Sequence, residues 1–91
     1  MYKLIITPEA LKQLQKLGQA PAKQILDWLE KNIEGSANPK ASAKPLKHGY
    51  KGLWRYRIAK DYRVICDIQD DKLVVLALKV GHRSKIYKLK R

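Results

Sequence analysis

Residues 53–80 read LWRYRIAKDYRVICDIQDDKLVVLALKV, and this stretch decides the fold. From Leu53 to Ile58 large apolar residues alternate with arginine. A period of two belongs to a strand with one face buried. The alternation resumes from Tyr62 to Ile68, after a turn-like Ala59–Asp61. Asp70–Asp71 makes a tight turn into Leu73–Val80, an almost unbroken apolar run. Such a run suits a strand covered on both faces, so it is expected at the centre of a sheet. Gly81 is expected to break it. Connections this short make the three strands an antiparallel meander.

Upstream, Tyr2 to Ile6 is rich in β-formers and reads as a strand. Thr7-Pro8-Glu9 is a helix start: a capping hydroxyl, a proline at the first helical position and an acid in the first turn. Leu11, Leu14 and Leu17 recur on one helical face, and Gly18 supplies a stop. A second helix is expected to open near Pro21, with Ile25, Trp28, Leu29 and Ile33 on its apolar face and Gly35 at its end. The two form a hairpin with a very short connection. Residues 35–47, GSANPKASAKPLK, are a loop by composition, and residues 82–91, HRSKIYKLKR, are a basic tail. The order β-α-α-β-β-β predicts one α+β domain over residues 1–91, a two-layer sandwich with the helix hairpin on one sheet face.

The charge is the loudest compositional signal. Twenty Lys and Arg face eight Asp and Glu, a net of +12. Residues 1–43 hold six basic and four acidic groups, and residues 44–91 hold fourteen and four, so the second half carries +10. Such an excess points to a polyanion: nucleic acid, an anionic membrane surface or an acidic protein. The apolar runs are too short to span a bilayer, and the basic residues fall on strands instead of one amphipathic helix, so nucleic acid leads. Cys66 is the only cysteine, so no internal disulfide forms. MYKLIITPEA does not read as a signal peptide, and a cytoplasmic location is expected.

Strand periodicity puts Trp54, Tyr56 and Ile58 on one face and Arg55 and Arg57 on the other. On the next strand Tyr62, Val64, Cys66 and Ile68 share a face, opposite Arg63, Ile65 and Asp67. If the helices cover the apolar set, the far face presents Arg55, Arg57 and Arg63, and Arg83 and Tyr87 can fold back beside them. Several guanidiniums on one sheet face make a phosphate site, because each holds phosphate oxygens bidentately.

The stretch KPLKHGYKGLWRYRIAKDYRVICDIQDDKLVVLALKVGHRSKIYKL resembles the RelE family of toxin–antitoxin ribonucleases, within the RelE/ParE superfamily. The features that carry the resemblance are Pro45–Leu46, Gly52-Leu53-Trp54-Arg55-Tyr56-Arg57, Asp61-Tyr62-Arg63-Val64-Ile65, and Val80-Gly81-His82-Arg83 followed by Tyr87. The helix hairpin fits the same family. The resemblance implies an mRNA interferase that cuts mRNA in the ribosomal A site through attack by the substrate's own 2′-hydroxyl, without metal or cofactor. It implies that Arg63 and Arg83 grip the scissile phosphate, that Arg55 and Arg57 add phosphate contacts or assist proton transfer, and that Tyr87 helps activate the 2′-hydroxyl or stacks on a base. Lys47, Lys51, Lys60, His82 and Lys85 would bind RNA around them. Where the family has a lysine acid or base, arginine is a poor substitute, because its pKa exceeds about 12. The implied partners are mRNA on the ribosome, a RelB-like antitoxin with an acidic or amphipathic wrapping segment and, together with it, operator DNA.

Each residue also has a plainer reading. Alternating arginines can be a solvated strand face, and a lone tyrosine near a chain end often just packs. His82 can serve as acid or base, and His48 reads as a surface loop residue. Cys66 reads as a small buried hydrophobe and Trp54, Tyr56 and Tyr62 as core. Asp61, Asp67, Asp70 and Asp71 read as turn and edge residues with no metal site among them. Two other functions compete: a ParE-like inhibitor of DNA gyrase that cuts no RNA, and a non-enzymatic RNA-binding module. Arg83 and Tyr87 after the last strand favour the nuclease.

Overall fold

A computed structural model describes residues 1–88; residues 89–91 of the expected tail and the side chains of His48 and Lys88 lie outside the description. The chain forms β1 (Lys3–Ile6), α1 (Pro8–Leu17), α2 (Gln19–Asn32), β2 (Ala43–Pro45), β3 (Trp54–Ile58), β4 (Tyr62–Gln69) and β5 (Val74–His82). The strands make one five-stranded sheet in the order β1-β5-β4-β3-β2. β2 to β5 are antiparallel neighbours, and β1 joins β5 in parallel.

The predicted meander is therefore present, inside a larger mixed sheet. The middle strand is β4, not β5, although both lie inside the sheet. Leu73 is not the first residue of β5: it sits exposed in the turn with φ +54°. β2 arises from Ala43–Pro45, within the segment read as loop. Three residues carry no periodicity, and Pro45 is tolerated because β2 is an edge strand that pairs on one side only.

Thr7 starts α1 as expected. Its hydroxyl accepts from the Ala10 N–H at 3.2 Å and donates to the Ala77 carbonyl at 2.9 Å, which pins the helix start to β5. The buried stripe of α1 is Ala10 and Leu14 with Leu17 partly buried, spaced i, i+4, i+7, whereas Leu11 falls off the stripe and is exposed. Gly18 is the single residue between the helices, at φ +100°, a conformation that glycine adopts without Cβ strain. α2 opens at Gln19, two residues before Pro21, and buries Ile25 and Leu29. The hairpin packs on Tyr56, Ile58, Val64, Cys66, Ile68, Val75, Ala77 and Val80. Each large side chain so buried contributes about 1.5–3 kcal/mol.

The segment before β3 is held down, not loose. The buried Tyr56 hydroxyl donates to the Pro39 carbonyl at 2.7 Å. Lys40 reaches Asp70 at 2.6 Å and lies 5.3 Å from the Trp54 ring centroid, while the Tyr2 hydroxyl donates to Asp70 at 2.7 Å. Among the described residues, no helix is long and apolar enough to cross a membrane.

Candidate active site

The sheet face away from the helices is covered in part. β5 does not break at Gly81; it runs through to His82. Glycine stands there for space: a Cβ at Gly81 would lie 3.3 Å from Ile86 Cδ1. Ile86 belongs to a short 3-10 turn, Ile86–Lys88, and is fully buried. Ile65 on the same face is also fully buried. Residues 83–88 of the expected tail thus fold back over the sheet and bring Arg83 and Tyr87 with them.

Register builds the rest of the site. Arg57 lies opposite Arg63, Arg55 opposite Ile65, and Arg63 opposite Gly81. Arg55 and Arg57 on β3 and Arg63 on β4 therefore share this face. Arg83 follows β5; its N–H donates to the Asp61 carbonyl at 2.7 Å and its Nε lies 3.7 Å from Asp61 Oδ1. That backbone bond fixes the register of Arg83 against the β3–β4 turn. Tyr87 is exposed on the Ile86–Lys88 turn.

Electrostatics ties the five together. Arg63 is held below the ordinary guanidinium range, first by burial, then by the charges of Arg55 and Arg57; Arg83 adds to this and the Tyr87 phenol opposes it. Four arginines and a tyrosine thus converge, as the periodicity and the fold-back of the tail predict.

The arginines differ in what holds them. Arg63 is 8% exposed, and its Nη1 donates to the carbonyls of Lys60 at 2.7 Å and Tyr62 at 3.0 Å. The Lys60 carbonyl belongs to a turn in which Ala59 and Lys60 both have positive φ, 52° and 67°, while Tyr62 opens β4. The rest of the Arg63 fork makes no hydrogen bond among the described residues. Arg55 Nε is buried without a partner, the one such side-chain atom found among the described residues. Buried donors are nearly always satisfied, so this N–H is an uncompensated polar group beneath the basic face.

Other expected contributors sit around or away from this group. Lys47 and Lys51 are exposed on either side of the 3-10 turn His48–Tyr50. Lys60 is exposed in the β3–β4 turn, and Lys85 lies between Arg83 and Tyr87. His82 pairs across from Tyr62 and stacks edge-on with it at 5.9 Å, so it faces away from Arg63. Its Nδ1 accepts from the Ser84 N–H at 3.1 Å. His82 instead borders a hollow of about 650 Å³ with Gln13, Lys16 and Leu17 of α1. Cys66 is fully buried in the core, where desolvation pushes its thiol well above the ordinary range.

Two features of this face had no signal in the sequence. Tyr50, which lies between the 35–47 loop and β3, lines a cavity of about 160 Å³ with Leu53, Ile65, Leu78 and Lys79. Lys79 is 5% exposed and reaches Glu9 at 3.3 Å. A bulge opposite Ile65/Cys66 makes Leu78 the extra residue of β5, which sets Lys79 across from Ile65. A bulge shifts the alternation by one, so counting by twos misassigns the residues beyond it.

A family model described as the ParE toxin of a type II toxin–antitoxin system, parDE, matches residues 4–87. The putative toxin RelE4 of Methanocaldococcus jannaschii is 30% identical over 91 residues, covering all of this chain and 96% of that protein. The toxin in the RelBE2 toxin–antitoxin complex of Mycobacterium tuberculosis superposes with a TM-score of 0.75 at 26% identity, over 90% of this chain and 98% of that one. The isolated RelE toxin of Escherichia coli gives a TM-score of 0.67 at 26% identity, over 97% and 93%. With that match across both helices and all five strands, the chain belongs to the RelE/ParE family of type II toxin–antitoxin toxins.

Proposed function

We propose that this toxin is an endoribonuclease that cleaves mRNA in the ribosomal A site, with the arginine face as its phosphate site. The observation that carries the reading is the convergence of Arg55, Arg57, Arg63 and Arg83 on one sheet face beside the turn that bears Tyr87. RNA brings its own nucleophile. The 2′-hydroxyl oxygen attacks the adjacent phosphorus, the bond to the 5′-oxygen breaks, and the products are a 2′,3′-cyclic phosphate and a 5′-hydroxyl. One proton leaves the 2′-oxygen and one reaches the 5′-oxygen. Negative charge gathers on the phosphoryl oxygens meanwhile, and fixed guanidiniums stabilise it without reorganisation. Each such contact contributes about 3 kcal/mol, roughly a hundredfold in rate.

Arginine exchanges no proton at neutral pH, so the arginines bind and neutralise. Tyr87, exposed and beside Arg63, is the group placed to take the 2′-hydroxyl proton or to stack on a base. On this reading the ribosome supplies the substrate's alignment. Action on ribosomes places the toxin in the cytoplasm. The RelBE2 neighbour is a toxin–antitoxin complex, and by that likeness a RelB-like antitoxin binds this chain, an acidic segment screening the basic face. With the antitoxin bound, operator DNA is the second polyanion.

The test is cleavage of one mRNA, naked and on ribosomes, in matched salt. Cuts within the A-site codon, only on ribosomes and with cyclic phosphate ends, are expected; equal rates on both substrates overturn the ribosome requirement. The ParE family match favours a second reading, inhibition of DNA gyrase. Loss of gyrase supercoiling with no RNA cleavage would establish it.

A further inference from the structure

Tyr50 holds the turn that carries Tyr87. Its phenol donates to the Tyr87 carbonyl at 3.0 Å, and the two rings meet edge to face, centroids 6.0 Å apart and planes at 72°. These contacts join residues 37 positions apart. Tyr50 is itself half-buried and lines one cavity with Leu53 and the fully buried Ile65. The turn has a second anchor in Ile86, buried against Gly81. Ile86 sets where the turn lies. It does not choose among the rotamers of the neighbouring side chain, which three staggered wells leave open. The carbonyl bond restrains the backbone of Tyr87, and the ring edge restrains its side chain.

We propose that Tyr50 is a positioning residue for Tyr87: it holds the Tyr87 phenol over the Arg63 side of the arginine face, so that RNA meets it in one orientation. The inference rests on the nuclease reading and deepens it. Misplacing a reacting group by about 1 Å costs up to a hundredfold in rate, so a second tyrosine that fixes the first acts on the chemical step and not on binding.

The test uses the full chain on programmed ribosomes under single turnover. Tyr50→Ala is expected to slow cleavage about 10- to 100-fold while affinity for ribosomes changes less than about twofold. Tyr50→Phe keeps the ring and loses only the hydrogen bond, so it is expected to slow cleavage about three- to tenfold. In a Tyr87→Ala background neither change has any further effect, because Tyr50 acts through Tyr87. Equal losses in both backgrounds, a loss of affinity at unchanged rate, or wild-type kinetics each overturn the proposal. A second readout is independent of chemistry: trypsin should cut at Lys85–Ile86 about fivefold faster in Tyr50→Ala while the global melting transition stays two-state. If the wild-type chain cleaves no RNA, the nuclease reading has failed. Trypsin then decides the hold of Tyr50 alone, and unchanged protection overturns it.

Discussion

Arg63→Lys separates charge from shape. Lysine keeps the positive charge and loses the planar fork. Arg63 uses its fork in two directions: Nη1 satisfies the carbonyls of Lys60 and Tyr62, and the remaining N–H groups are left for a phosphate. A single ammonium on a flexible stem cannot do both. Hydrogen bonds from charged donors contribute about 1.5–3 kcal/mol each, and the site is too buried for water to replace them freely. Lysine recovers one of the two carbonyl bonds at most, and its easier deprotonation relieves some repulsion from Arg55 and Arg57. A net loss of about 1–2 kcal/mol follows, which in a domain of this size lowers Tm by about 5–10 °C. The rate loss should be larger in proportion, about a hundredfold, because bidentate phosphate contact disappears. Circular dichroism melts and single-turnover cleavage on ribosomes measure the two effects. A lysine variant that cuts at the wild-type rate refutes the need for a fork. One that melts with wild type refutes the structural role of the two carbonyl bonds.

Tyr87→Phe and Tyr87→Ala divide proton transfer from stacking: Phe should lose most of the single-turnover rate if the hydroxyl reacts, and behave as wild type if only the ring matters, with Ala failing in both cases. Tyr56→Phe should cost about 1–2 kcal/mol in urea unfolding, because it strands the buried Pro39 carbonyl; no change in midpoint would show that water takes over the bond. Ala59→Gly should raise stability by up to about 1 kcal/mol, since a left-handed alanine costs about 1–2 kcal/mol and glycine returns part of that as chain entropy. Hydrogen bonds from Lys40 and then Tyr2 hold Asp70 below the ordinary carboxylate range, so its contribution is present above its unfolded value near 4 and fades as pH falls through the lower folded value. Asp70→Asn should therefore narrow the stability gap between pH 7 and pH 3, and an unchanged gap would remove the Tyr2–Asp70–Lys40 contacts from the account.

What was legible in the sequence was whatever repeats. The alternation in Trp54–Ile58 and Tyr62–Ile68 assigned faces correctly, and so put Arg55, Arg57 and Arg63 together before any coordinates. Thr7-Pro8 marked a helix start to the residue, because capping chemistry is local. What was hidden depends on partners distant in the chain. Ala43–Pro45 is a strand only because β3 lies beside it. Gly81 looks like a stop until Ile86 is seen resting on it. The parallel pairing of β1 with β5, 71 residues apart from Lys3 to Val74, leaves no local mark. Tyr50 is invisible for the same reason: its role lies in Tyr87, across the sheet.

The site itself follows from an imbalance between the two sheet faces. The helix hairpin needs one face, and the core on that side supplies most of the apolar burial. Among the described residues the other face is covered by two short turns, with Ile65 and Ile86 as its apolar seal. Beyond that seal stand four guanidiniums, and among the described residues one ion pair is seen to them, Asp61 with Arg83. Like charges gathered this way destabilise the free protein, and an apolar or polar surface would fold better. The sequence therefore spends stability from the helix side to keep a charged surface on the other. The strained Ala59–Lys60 turn belongs to the same trade, because its Lys60 carbonyl holds Arg63 and its neighbour Asp61 holds Arg83. Strain and repulsion that persist side by side are expected where a ligand relieves them. On the nuclease reading proposed above, that ligand would be a chain of phosphates, or an acidic protein segment in its place.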